Sequence, residues 1–225
     1  MKISKLIVLF CLIAAFSVNS YSQGNLTFNI MGALPISDYG SDDLEDENAG
    51  GAGLGAGIGI QYVHPIMDNG LGIFGGVDVI YNGYKKSVKD DMKELYENFL
   101  GTSVDIKWSK MINIPLSFGL NFTKTNDAGA GFFANAGLTY NFFKQTNEVI
   151  GTDGGDLTMS AKMASAVGFK VGGGIKLNDK MSVFVNYLGL GTHDIEATME
   201  GGGESEDFKA ESKIDIITIG IGFAF

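Results

Sequence analysis

Arginine is missing from this sequence, and all sixteen basic residues are lysines. Against 26 acidic residues they leave a formal charge of −10 at pH 7. No basic patch exists to neutralise phosphates, which excludes nucleic acid as a partner. The same balance excludes simple adsorption onto an anionic membrane surface. Cysteine occurs once, as Cys11, inside an apolar run near the N-terminus. The remaining chain therefore has neither a disulfide framework nor a thiol nucleophile. Histidine occurs twice, as His64 and His193, and no Gly-x-Ser-x-Gly motif is present. Metal-cluster and hydrolase readings start with little to support them. No hydrophobic run is long enough for a transmembrane helix, which needs roughly 20 residues.

The longest such run, Leu6 to Phe16, follows two lysines, Lys2 and Lys5. Small and polar residues come next, with Ser20 and Ser22 spaced as the −3 and −1 positions of a cleavage site. This layout predicts a secretory signal peptide over residues 1–22 and a mature chain from Gln23. The alternative, an N-terminal anchor helix, is disfavoured by the length of the run. Phe10 rather than a small residue precedes Cys11, so lipidation is not expected. Loss of Lys2 and Lys5 takes the charge to −12.

Glycine is abundant, 33 of 225 residues, and it alternates with large apolar residues. Period-2 alternation marks β-strands with two unlike faces. The clearest run spans Val104 to Phe122, where Ile106, Trp108, Ile112, Ile114, Leu116, Phe118 and Leu120 share one face and Lys110 alone breaks phase. Similar stripes recur through Leu26–Leu34, Leu54–Tyr62, Leu71–Tyr81, Phe132–Phe142, Val167–Ile175, Met181–Tyr187 and Ile217–Phe225. These make eight strands, each with the roughly 9–11 residues that a tilted strand needs to cross hydrocarbon. Connections alternate between short (Pro65–Gly70, Thr123–Ala128, Asn178–Lys180) and long (Ser37–Gly51, Lys85–Ser103, Gln145–Ser160, Thr192–Ser212). The expected architecture over 23–225 is an all-β, eight-stranded antiparallel up-and-down transmembrane β-barrel with short periplasmic turns and long extracellular loops.

A soluble barrel would bury the large apolar face and show water a face of glycine, alanine, asparagine and threonine. Bare glycine on a solvated strand weakens it without benefit. Turned to lipid, the apolar face makes sense, and small or polar residues line the lumen. Aromatic residues agree with two interfacial girdles: Tyr81, Trp108, Tyr140, Phe142 and Tyr187 at the outer level, and Tyr62, Phe122, Phe132 and Phe225 at the periplasmic one. Lys110, beside Trp108, is placed to snorkel.

Trp108, the segment Ile112-Asn113-Ile114-Pro115-Leu116 and the strand Ala134-Asn135-Ala136-Gly137 resemble the PorT-like outer-membrane β-barrel family of Bacteroidota. The C-terminal Ile221-Gly222-Phe223-Ala224-Phe225 resembles the signal read by the barrel-assembly machinery, which favours a final aromatic. The resemblance implies a barrel fold and an outer-membrane address. Some members of that family serve type IX secretion and gliding machinery, and nothing in these short motifs selects that role.

Inward-facing Phe74, Phe133, Phe143 and Phe184 oppose glycine stretches such as Gly53 to Gly59, which reads as filling of a narrow lumen. The competing reading is a passive pore lined by Gln61, Asn135, Asn141, Lys162 and Lys170. Asp78 is expected to pair with Lys170 or Lys162. The outer loops carry half of the acids: Asp38, Asp42, Asp43, Glu45, Asp46 and Glu47 in the first, and Asp194, Glu196, Glu200, Glu204, Glu206, Asp207 and Glu211 in the fourth. They read as solvated loops, or as sites for divalent cations bridging to lipopolysaccharide. Met92, Leu95, Tyr96 and Phe99 fall at helical spacing in the second loop, with a capping box from Ser87 and Asp90 and a stop at Gly101. Catalysis would have to use His193, with Asp194 and a loop serine, in hydrolysis or acyl transfer. No catalytic, cofactor-binding or metal-ligating residue is assigned. The expected protein is a non-enzymatic, monomeric outer-membrane barrel with a plugged or narrow lumen.

Overall fold

The computed structural model describes residues 24–43, 45–46, 48–152, 155–201 and 204–225. The predicted signal peptide, Cys11, the proposed start at Gln23 and Glu47 lie outside them. Among the described residues, eleven strands form one antiparallel sheet: β1 (Asn25–Ile36), β2 (Ala52–Pro65), β3 (Leu71–Tyr84), β4 (Asp105–Lys107), β5 (Met111–Thr125), β6 (Gly131–Gln145), β7 (Glu148–Thr152), β8 (Gly155–Met163), β9 (Ala166–Lys176), β10 (Met181–Gly201) and β11 (Glu204–Ala224). Eight of them, β1-β2-β3-β5-β6-β9-β10-β11, pair in sequence order and close when β11 returns to β1, with Thr27 opposite Ala224 and Ile36 opposite Asp215. The eight predicted stripes are these eight strands. Both chain ends of the described barrel sit at the short-turn end.

The short turns are built by local side chains. Asn126 Oδ1 accepts from the N–H groups of Ala128 and Ala130, and Asn178 Oδ1 accepts from Lys180 N–H. Gly70 and Gly129 take φ of 95° and 75°, which a side chain disfavours. The ladder between β3 and β5 skips from Val77–Leu116 to Ile80–Asn113, and Pro115, which has no N–H to donate, lies in that gap.

Outside the ring, Leu54, Phe118, Leu138, Val167, Ile175 and Ile219 are each at least 61% exposed. Neighbouring strands continue the belt, which far exceeds the few hundred Å² of contiguous apolar surface that water-facing proteins expose. Large apolar side chains dominate the outer face, and glycine and polar residues are concentrated on the inner one, the inversion expected of a ring surrounded by lipid. Rings pair at both rims: on one, Tyr140 with Phe142 along the same strand at 5.0 Å and Phe169 with Tyr187 across strands at 5.5 Å, and on the other Phe122 with Phe132 across strands at 6.0 Å. Trp108 packs edge-on to Tyr84, 5.9 Å away.

The long connections are more ordered than expected. The run from Val104 to Phe122 is interrupted at Ser109–Lys110, where Lys110 N–H donates to Thr146 Oγ1. Its first part becomes β4, which pairs with β7 away from the barrel wall. The third and fourth loops are hairpins: β7 with β8, and the upper half of β10 with β11, whose ladder continues from Thr192–Lys213 to Gly201–Glu204. A bulge between Gly189 and Thr192 separates this extension from the ladder of the ring. Two helices complete the cap, the single turn α1 (Ser37–Gly40) and α2 (Lys86–Leu100). Gly101, at φ 67°, ends α2 as expected. The capping box does not form: Lys85 is the N-cap, and Ser87 Oγ donates to Asp42 of the first loop at 3.2 Å. Nor do Leu95 and Phe99 face the barrel; they are exposed, while Val88 is buried and Tyr96 reaches Met159 Sδ at 3.3 Å. Docking of the first helical turn fixes which side of α2 faces the rim.

Glycines on the inner face make room for specific partners. A Cβ at Gly59 would collide with the Asp78 carboxylate, and one at Gly57 would crowd Ile80 and Met31. Gly59→Val is expected to cost about 1–3 kcal/mol through overpacking, read as a lower urea midpoint in lipid vesicles. An unchanged midpoint would show that the inner face is not closely packed there.

Candidate functional site

The ring encloses a lumen whose two halves differ. In the outer half Met31, Ile80, Met111, Leu188, Ile214 and Ile216 form a buried apolar cluster, with Phe143, Tyr84 and Met163 packed against it. Tyr39 enters from above. It rides on α1, which folds over the mouth of the barrel after Ser37, a residue held at φ 54°. That conformation is uncommon for a residue with a side chain. The Tyr39 ring meets Phe143 edge-on at 6.2 Å. Its hydroxyl accepts from Asn113 Nδ2 at 3.1 Å, and Asn141 Nδ2 donates to Asn113 Oδ1 at 2.9 Å. Asn141 in turn lies 3.3 Å from His193 Nε2. A polar chain thus crosses the outer end of the lumen inside an apolar plug, each side chain linked to the next.

His193 is fully buried and belongs to the strand extension rather than to a loop. Its Nδ1 sits 2.7 Å from the Ala164 carbonyl, the geometry of an N–H donating to it. Burial holds the imidazole below its ordinary range, opposed by the Ala164 and Leu190 backbone. Asp194 points to the opposite face and is exposed. The His193 bonds go to a carbonyl and an amide, so the sequence-level pairing with Asp194 and a serine is not assembled. Glu148 is a buried acid of the cap. Desolvation pushes its carboxyl up, against a hydrogen bond from the Ser109 backbone.

At mid-depth Asp78 and Lys170 form the expected pair, Nζ to Oδ2 3.2 Å, both almost wholly buried. Lys170 Nζ also lies 6.0 Å from the centre of the Phe74 ring. Each charge compensates the other, since either alone in this setting would be strongly unfavourable. Lys162, the alternative partner, is exposed on β8 in the cap and lines no lumen. Asn141 belongs to the plug, leaving Gln61 and Asn135 of the predicted lining in the open half. Phe184 and Phe74 are buried in the lumen as expected, with Phe133 and Phe143 against the core. Phe184 lies over Gly220 and Phe133 over Gly174, rather than over the Gly53–Gly59 stretch.

The periplasmic half remains open as a cup of about 1070 Å³ lined by amides, hydroxyls, glycine and aromatic rings, with lysines and aspartates at its mouth. On the cap, Asp194 and Glu211 are directly opposed, and Glu196 faces Lys209 with 3.9 Å between charges. Asp42 is held below the usual carboxylate range by the Ser87 hydroxyl and Lys85.

No protein-family model and no curated protein sequence matches the chain. Among solved structures, the outer membrane protein OprG from Pseudomonas aeruginosa aligns at 13% identity and a TM-score of 0.49, covering 92% of this chain and 98% of that one. A major outer membrane protein from Thermus thermophilus aligns at 12% identity and 0.49, covering 90% and 100%. Ail, the attachment invasion locus protein of Yersinia pestis, aligns at 11% identity and 0.41, covering 90% and 99%. The fold assignment, an eight-stranded transmembrane β-barrel, rests on the strand register and the apolar belt rather than on these likenesses.

The folded-state imidazole of His193 binds protons less readily than the unfolded one. Its contribution to stability is therefore complete above the ordinary histidine value of about 6.5 and is lost as pH falls below it. Between about pH 7 and pH 5 the native protein should lose stability by an amount that a His193→Gln variant does not lose. Parallel pH profiles for the two proteins would show that the imidazole is not held neutral.

Proposed function

We propose that this chain is a non-enzymatic outer-membrane barrel whose lumen does not conduct, and that it works through its cap in a structural or interaction role. The observation that carries this reading is the plug: Tyr39, Phe143 and the surrounding aliphatic side chains fill the outer half of a ring whose strand number leaves little more than side-chain room. The N-terminal leader of residues 1–22 supports export, and the final strand ending at Phe225 is suited to the barrel-assembly machinery. The motifs around Trp108, Pro115 and Gly137 favour a place in the PorT-like group.

Outer-membrane lipid and lipopolysaccharide are the partners proposed for the belt and cap. Like charges directly opposed, as in Asp194 and Glu211, disfavour the strand pair unless a cation lies near. Among the described residues no three histidine, cysteine or acidic side chains converge as a metal cage. A divalent cation on the cap is therefore proposed as a bridge to anionic lipid rather than as a bound cofactor. The monomer is the proposed state.

A narrow pore is the second reading, favoured by the open periplasmic cup. The two separate in planar bilayers. The native protein should give no stable conductance, and Tyr39→Ala with Phe143→Ala should create one. A steady, voltage-independent current through the native barrel would overturn the proposal.

A further inference from the structure

The periplasmic cup has no assigned role in a closed barrel. A lumen of this width can be filled by side chains throughout, as the outer half demonstrates. Here the filling stops below Asp78 and Lys170, and the wall changes character. Asn29, Gln61, Asn121, Asn135 and Asn186 project from five strands into a cavity of about 1070 Å³. Four of the five are almost wholly buried.

Their orientation is fixed rather than loose. Asn121 Nδ2 donates to Asn135 Oδ1 at 2.7 Å, and Thr123 Oγ1 donates to Asn121 Oδ1 at 2.8 Å. Asn186 Nδ2 donates to Thr218 Oγ1 at 3.3 Å. Each amide retains donor or acceptor capacity beyond these bonds. Phe133 and Phe184 add aromatic surface to the same wall. Pre-set polar groups with an aromatic platform are the composition of a ligand site, because little ordering is needed on binding.

The chemistry of the wall restricts the ligand. The charges of the lining, Asp68, Lys124, Lys176, Asp179 and Lys180, sit on the short turns and strand ends at the mouth, and above the amides Asp78 and Lys170 neutralise each other, so a charged ligand would find no unpaired charge at depth. An apolar ligand would strip water from five amides and return no hydrogen bonds, which is unfavourable. A peptide bound by strand addition needs a free strand edge, and a closed ring offers none. A sugar meets each condition. Its hydroxyls match planar amides that donate and accept together, and its C–H face suits a phenyl ring.

We propose that the periplasm-facing cup is a binding site for the neutral, hydroxyl- and acetamido-bearing end of a glycan. The site enters from the periplasmic mouth alone, because the plug closes the other end. It is independent of the cap and of whatever the cap binds.

The test uses the whole barrel in detergent micelles and N,N′-diacetylchitobiose as probe, followed through the side-chain amide signals of asparagine and glutamine. Saturable shifts are expected for Asn121, Asn135 and Asn186. Asn135→Leu should weaken binding about tenfold or more, and the cap variant Glu196→Gln should bind as the native protein does. Gln61→Ala, at the less buried part of the wall, should also weaken binding and serves where Asn135→Leu fails to fold. Absence of saturable shifts, equal affinity in a folded Asn135→Leu or Gln61→Ala variant, or tighter binding of triglycine than of the disaccharide would overturn the proposal.

Discussion

A strand in hydrocarbon can satisfy its N–H and C=O groups only on a neighbouring strand. The other features of this barrel follow from that requirement. It forces β11 back onto β1, so that no edge is left in the lipid-facing ring. Closure fixes the diameter, and the diameter fixes how much space must be filled or left wet. Glycine then becomes a packing residue. Gly59 gives way to Asp78, and Gly220 and Gly174 give way to Phe184 and Phe133.

The lumen answers the filling problem in two ways. Its outer half is packed like a soluble core, with a polar chain from Tyr39 through Asn113 and Asn141 to His193 running through it. Its periplasmic half is an open cup with an amide wall. The Asp78–Lys170 pair lies at mid-depth, a polar element whose charge is internally cancelled. Above the ring, β10 and β11 continue past a bulge and carry β8, β7 and β4 as a lateral sheet. The cap is thus an extension of the barrel wall rather than a set of loose loops.

Much of this is legible in the sequence because lipid imposes a strict code. Strand count and the inside and outside faces follow from period 2, which also puts Asp78 inside, while the choice of Lys170 over Lys162 as its partner needs the structure. The cap departs from expectation chiefly because charge is a poor sign of a loop. In the fourth connection His193, Ile195, Ala197 and Met199 alternate with Asp194, Glu196, Thr198 and Glu200, a strand pattern whose outer face meets water instead of lipid. The same alternation places His193 inside, and that signal is present in the residues. Tyr39 has no such signal: a single aromatic residue in a polar segment carries no period, and its role depends on α1 folding over the barrel mouth. The split of Val104–Phe122 is equally hidden, since Lys110, the one break in phase, also fits an interfacial lysine.

The central claim is that the large apolar face meets lipid and the small polar face lines the lumen. Single cysteines placed at Leu138 on the belt, Asn69 on a short turn and Glu196 on the cap, and treated with a membrane-impermeant thiol reagent, test it directly. In intact cells the cysteine at 196 should react. The cysteine at 69 should react only once the outer membrane is opened, and the cysteine at 138 only after detergent. Ready labelling at 138 in intact or merely opened cells would contradict the account, because the apolar face would then be open to water.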